Sequence, residues 1–184
     1  MSCTLTRGFT LSCGGEMAGV KEVFFANWAE VASGVTEDGT TGEIDALPEF
    51  TLYRYECVRN SGSCDTTMNQ NVDNSSLFYS QVVTLRLPVL SAAKKKELEL
   101  LAKAKLVVFV RQYNDQILMV GRTDGAYVTS LLANTGKAKG DFTGYEITIE
   151  AQEPAQPFVL EAYTSVPFDN FVDVTLSPDY TVTS

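Results

Sequence analysis

Few residues in this chain could do chemistry, and the most informative is one that never occurs. The 184 residues include no histidine. Its absence removes imidazole acid–base work, Ser-His triads, Cys-His dyads and every histidine metal site at once. Four cysteines remain, Cys3, Cys13, Cys57 and Cys64. None are spaced as CxxC, and without histidine they form no zinc pattern. The simplest expectation is four reduced thiols in a protein made in the cytosol. Cys57 and Cys64 flank Asn60-Ser61-Gly62-Ser63, so a bridge across a hairpin stays open in an oxidising medium, as does one between Cys3 and Cys13.

The other candidates fail on spacing. Glu37-Asp38 and Glu97/Glu99 read as solvated charges rather than an acid/base pair. Asp65, Asp73 and the asparagines between them lack the EF-hand pattern. Asn74-Ser75-Ser76 fits the N-glycosylation pattern, yet the opening MSCTLTRGF has neither a basic n-region nor an apolar h-region, so the match reads as chance. Thr135-Gly136-Lys137-Ala138 resembles the end of a phosphate loop, but Leu131 stands where the first glycine belongs and no Ser or Thr follows the lysine. No apolar run approaches the roughly 18 residues that cross a bilayer. The expectation is therefore no enzyme, no cofactor, no metal and no membrane.

The elements around these residues read mostly as strands. Val20 to Trp28 is a short apolar run, followed by a polar loop over Ser33 to Glu43. Phe50 to Arg59 and Leu77 to Leu87 are strand-like, and the polar stretch Asn60 to Ser76 between them suggests the tip of a long protruding hairpin. In the second run Leu77, Tyr79, Val83, Leu85 and Leu87 share one face, which Gln81 interrupts; Val82 interrupts the polar face. A helix is expected at about 91–105: Pro88 ends the strand before it, Ser91 caps it, and AAKKKELELLAKAK follows. Leu98, Leu101 and Ala102 would form its apolar stripe. Lys94, Lys95 and Lys96 sit where the helix dipole disfavours cations. Leu106 to Gln112 reads as a strand covered on both faces, turning through Asn114-Asp115 into Ile117–Val120. Ala126 to Asn134 is another strand. After a loop at 136–144, Tyr145, Ile147, Ile149 and Ala151 alternate with Glu146, Thr148 and Glu150. Phe158 to Tyr163 and Phe171 to Leu176 complete about nine strands. The fold class is mainly β, an antiparallel sandwich or barrel with one flanking helix, in a single domain over 1–184.

Charge is segregated along the chain. The net charge is -9, from 14 basic and 23 acidic residues, which argues against grip on a phosphate backbone. Residues 1–90 carry 5 basic and 11 acidic side chains, residues 91–140 carry 9 and 4, and residues 141–184 carry 8 acidic and no basic ones. The segregation either balances within one fold or joins copies head to tail, which yields rings or filaments.

Four stretches together resemble the phage tail tube proteins of phages and prophages infecting Bacteroidota. Cys3…Cys13-Gly14-Gly15…Gly19-Val20-Lys21-Glu22-Val23-Phe24-Phe25 resembles their Cys…Cys…GG(I/V)K opening. Ser80 to Leu87 followed by the helix resembles their strand-then-helix junction. Val107 to Gly121 is similar to the hairpin that follows it. Thr135-Gly136-Lys137-Ala138-Lys139-Gly140-Asp141-Phe142-Thr143-Gly144-Tyr145 is similar to their TG-x-A-x-GD-x-x-GY segment. The likeness spans about 1–162 and rests on structural residues.

The resemblance implies a virion protein, made in the bacterial cytoplasm, whose hexameric rings stack into a hollow tube. Its partners are copies of itself and other tail proteins (terminator, tape measure, tail tip), with DNA only as transiting cargo. An acidic lumen repels phosphates, so the genome slides through. On that basis Thr84, Arg86, Glu146, Thr148 and Glu150 are candidates to face the lumen, with outer solvent the alternative for each. Asp65, Asn69, Asn71 and Asp73 of the hairpin would contact the next ring. Phe168 and Phe171 are candidate anchors on a neighbour, or ordinary core. Residues 1–19 would form an N-terminal arm and 163–184 an extension, as an arm or an outer strand. The alternatives are a capsid decoration protein, head–tail connector or tail terminator, or a carbohydrate- or protein-binding sandwich using Tyr53, Tyr55, Tyr79 and Tyr113.

Overall fold

A computed structural model describes residues 17–71, 73, 75–171 and 173–177. Cys3, Cys13, most of the expected N-terminal arm and residues 178–184 lie outside them. The first half contains β1 (Val20–Asn27), α1 (Trp28–Val31), β2 (Thr36–Glu37), β3 (Ile44–Ala46), β4 (Phe50–Glu56), β5 (Ser63–Asn71) and β6 (Ser76–Pro88). The second contains α2 (Ala92–Leu101), β7 (Leu106–Gln112), β8 (Ile117–Val120), β9 (Ala126–Asn134), β10 (Gly144–Glu153), β11 (Phe158–Val159) and β12 (Val174–Leu176). The fold is mainly β, as expected, with a helix at its side.

The main sheet runs β12-β4-β1-β7-β9-β10-β6-β5, with β8 and β11 branching from β7. One contact, Leu106 opposite Ala126, is all that joins β7 to β9. There the sheet folds over on itself without closing into a barrel. Strands β1 and β7 therefore bury both faces. Val23, Phe25, Val108 and Val110 face a core shared with Val83, Leu85, Ile147 and Ile149 of the opposing layer and with Leu98 and Leu101 of α2. Phe24, Ala26, Val107 and Phe109 face a second core closed by Ile44, Leu47, Leu160, Phe168 and Phe171. A strand covered on both sides reads as a continuous apolar run rather than an alternating one, which is why LVVFV stood out.

Four sequence expectations are corrected. The sheet is mixed rather than purely antiparallel, because β12 pairs in parallel with β4, Val174 opposite Phe50. The hairpin is not formed by Phe50–Arg59 against Leu77–Leu87: β4 pairs with β1, and the polar stretch is itself strand β5, paired along its length with β6. The α-helix stops at Leu101, leaving Ala102 exposed as its C-cap. The β7–β8 turn is one residue longer than Asn114-Asp115. Gln112 N–H donates to the Gln116 carbonyl (2.9 Å), and Asp115 takes the left-handed conformation (φ 64°) usual for the third residue of a three-residue hairpin loop.

At the start of α2 the Ser91 side chain accepts from Lys94 N–H (3.2 Å), the expected cap. Two of the three misplaced cations find local partners. Lys94 Nζ donates to the Pro88 carbonyl (2.8 Å), and Lys95 pairs with Glu99 one turn on (3.7 Å).

Among the described residues two polar side chains are buried, and each holds a loop. Gln81 donates to the Ala155 carbonyl (2.9 Å) and accepts from Gly121 N–H (3.3 Å). Gly121 has φ 76°, and a Cβ there would sit 2.7 Å from Ala126 N, so the turn it holds requires glycine. Glu153 accepts from the N–H groups of Thr123 (3.0 Å) and Asp124 (2.8 Å). The interruption of the apolar face at Gln81 is thus a satisfied buried amide.

The thiols of Cys57 and Cys64 are free and pack against the first core. Burial pushes both up to about 11, with Glu22 adding to the effect at Cys57 and Asp65 at Cys64. The folded chain thus favours the protonated thiols. Their contribution is complete below pH 9.0, the ordinary value, and is lost as pH rises towards 11, by about 2–3 kcal/mol per thiol. Urea midpoints measured across that range should fall, and should fall much less in a Cys57→Ala/Cys64→Ala chain. Equal declines in both chains would rule out the thiols as the cause.

Candidate functional site

Strands β5, β6, β10 and β9 form a four-stranded layer with one uncovered face. Its cross-strand register puts Glu146 opposite Arg86 and Thr148 opposite Thr84, with Glu150 opposite Val82. The five residues expected to share a hydrophilic face therefore do share one. β5 extends it: Ser63 lies opposite Thr84, Asp65 opposite Val82, Thr67 opposite Ser80 and Asn69 opposite Phe78. Asp65, Asn69 and Asn71 thus line the same polar face as the lumen candidates. Asp73 alone, of the four hairpin residues, sits at the tip, where its N–H donates to the Asn71 side chain (3.0 Å).

The face is rich in hydroxyls and amides, and Arg86, Glu146 and Glu150 are tied to neighbours. Arg86 Nε donates to Glu146 (3.1 Å) and the guanidinium lies 5.7 Å from the Phe142 ring centroid. Ser80 donates to Glu150 (2.9 Å). Three carboxylates, Asp65, Glu146 and Glu150, against the Arg86 cation leave the face net negative.

Beyond the core the hairpin is exposed on both sides. Met68, Leu77 and Phe78 present apolar surface. Among the described residues β5 pairs only with β6, and Tyr127–Asn134 of β9 pair only with β10. The layer therefore ends in two free edges. Edge strands of stable monomers usually carry lysine, proline or inward charges that block further pairing. Here SCDTTMNQN and AYVTSLLAN contain one charge, Asp65, and no lysine, arginine, proline or glycine.

A cleft of about 370 Å³ opens beside the start of β5, between Gly62–Asp65, Met17–Val20 and the β7–β8 turn. Gly62 allows the chain to pass here, since a Cβ would come within 2.9 Å of Val20. A second, about 520 Å³, lies at the far end of β9 between Arg86, Phe142 and the 133–137 segment. Neither is lined by tyrosine. Tyr53 and Tyr55 lie on β4, Tyr79 on β6 and Tyr113 in the β7–β8 turn, so these rings form no single groove. In the loop that resembled a phosphate loop, the N–H groups of Lys137 and Ala138 both donate to Asp141 (2.8 Å each). Those bonds hold the Asp141 carboxyl below the usual carboxylate range and fill the place an anion would take.

Phe168 and Phe171 are buried within this chain, in the second core, with Phe168 edge-on to both Phe24 (5.1 Å) and Phe109 (5.4 Å). The stretch from Tyr163 to Ser177 is a strap over that core. Asp169 fixes its bend by accepting from the Thr164 hydroxyl (2.6 Å) and from backbone N–H groups of Thr164, Ser165 and Val166. These bonds hold its carboxyl far below the usual range, the Thr164 hydroxyl first. Tyr163 donates to Asp115 (2.8 Å) and accepts from Arg111 Nε (2.9 Å), while Arg111 also binds Glu22 (2.8 Å).

Sequence reasoning missed the free edges, because a strand that buries neither face leaves no periodicity. The one available signal was the absence of lysine, arginine and proline in β5 and β9, with Asp65 their single charge. Comparison with protein-family models, with curated proteins and with solved structures finds no match.

Proposed function

We propose that this is a structural assembly protein whose copies join edge to edge through β5 and β9, closing a ring that stacks into a hollow phage tail tube. The carrying observation is the pair of unprotected edges on one four-stranded layer. Strands β5 and β9 run in opposite directions, since β5, β6, β10 and β9 alternate. A rotation about an axis along the strands therefore sets β9 of one copy antiparallel to β5 of the next. Such a head-to-tail contact closes a ring when its rotation divides the circle.

The polar face with Asp65, Thr84, Glu146, Thr148 and Glu150 supports assignment as the inner wall. Its net negative charge suits passage of DNA without adhesion. The apolar face belongs to the core, which fixes which way the wall turns. The motifs shared with phage tail tubes extend the ring to a tube in the virion, with terminator, tape measure and tail-tip proteins as further partners.

Light scattering across concentration and salt, with negative-stain electron microscopy of the same samples, tests this. Rings or hollow tubes are expected. Single rings that never stack would move the assignment to a connector or terminator. A monomer under every condition, including after addition of tail-tip components, would overturn self-assembly.

A further inference from the structure

We propose that copies join in one particular register, with Met68 of β5 opposite Leu131 of the next copy's β9. This rests on the edge-to-edge reading above and adds the pairing that reading leaves open. An antiparallel ladder must keep each face continuous, because a one-residue slip turns every side chain over. Leu132, Ser130 and Asn134 lie on the polar face, through their pairs with Glu146, Thr148 and Gly144. Leu131 and Ala133 lie on the other, as Met68 and Thr66 do through Tyr79 and Gln81. Only registers two residues apart remain.

Three observations choose among them. Met68 and Leu131 are exposed apolar side chains on matching faces, 56% and 37% accessible, and directly opposed apolar pairs stabilise sheets. In this register Asp65, the one charge on either edge, lies opposite Asn134, beside the turn that carries Lys137. The same turn, Thr135–Lys137, comes against Gly62–Cys64, which line the 370 Å³ cleft.

The third observation is the stagger. Within one copy Met68 is level with Tyr79, and Leu131, through Ile147, is level with Leu85. Each junction thus steps six residues over four strands. With about 3.3 Å per residue and about 4.8 Å between strands, that tilts the strands by roughly 45°, at the upper end of the ~35–45° of closed barrels. The neighbouring register, Thr66 opposite Leu131, steps four residues, since Thr66 is level with Gln81, and tilts the strands roughly 35°, so the apolar Met68–Leu131 pair decides between these two. The rival that puts Cys64 opposite Leu131 steps only two residues, since Cys64 is level with Val83, and tilts them roughly 20°.

Cross-linking tests the register in chains with Cys3 and Cys13 replaced by serine. A Met68→Cys/Leu131→Cys chain, treated with a short bismaleimide, should form inter-copy ladders at least about tenfold more readily than Met68→Cys/Leu132→Cys, whose thiols fall on opposite faces. The native Cys64 reports the rival. Efficient ladders from Leu131→Cys with Met68 intact would overturn the register while leaving edge pairing in place. Absence of assembly in the parent chain overturns both.

Discussion

A chain carrying lysine at both Met68 and Leu131 should remain a folded monomer at concentrations where the unaltered chain assembles. Both side chains are exposed in the single copy, so neither change opens the core, and far-ultraviolet circular dichroism and the urea midpoint should hardly move. At each junction the double change replaces an apolar pair by two opposed cations. Lost burial and like-charge opposition together amount to about 2–3 kcal/mol, or a rise of roughly 100-fold in the concentration needed to assemble. Sedimentation velocity reads this directly. A Met68→Lys/Leu131→Glu chain restores attraction at the same positions and should recover most of the loss. Assembly of the double-lysine chain at the original concentration would place the junction elsewhere.

The largest expected loss of stability lies on the opposite side of the molecule, at Phe168. Its ring is buried among Phe24, Phe109 and Phe171, and truncation to alanine should cost about 3–5 kcal/mol. The backbone makes the site unusual. Phe168 sits at φ 68°, a left-handed conformation that costs residues with a Cβ about 1 kcal/mol and glycine almost nothing. Phe168→Gly should therefore be no less stable than Phe168→Ala, although glycine removes one more carbon and normally loosens a chain. Urea unfolding of both variants in the double-lysine monomer separates this from any effect on assembly. A glycine variant weaker than the alanine variant by 1 kcal/mol or more, the usual penalty of glycine, would show that the bend carries no strain.

What the sequence made legible follows from what each segment buries. β10 alternates because one face packs on the core and the other is uncovered, and Tyr145, Ile147, Ile149 and Ala151 are buried as that pattern requires. α2 announced itself by its Ser91 cap and its paired leucines. The polar face was legible for the same reason, as the residues left over when the apolar ones point inward. β5 was not, because TTMNQN (66–71) packs against no core in its own copy, and a loop composition is what an unburied strand looks like. Nor was the pairing of β4 with β1 visible, since local pattern says nothing about which distant strand completes a ladder. Phe168 and Phe171 lay in an acidic segment where burial and exposure fitted the sequence equally well, and the positive φ at Phe168 leaves no trace in composition.

The closing of the second core by the strap has a kinetic consequence for synthesis. All four strands of the candidate assembly layer are complete by Glu153, but Phe168, Phe171 and β12 are made after them. Their partners on β1 and β4 were made more than a hundred residues earlier, and translation at about 5–20 residues per second keeps those partners waiting for seconds. Through that interval the nascent chain holds a layer with open edges and a half-covered face bearing Phe24, Val107 and Phe109. Long-range pairings of this kind are slow to form and exposed to aggregation. Synthesis of the strap, rather than of the strands with the open edges, decides when the second core of a copy can close.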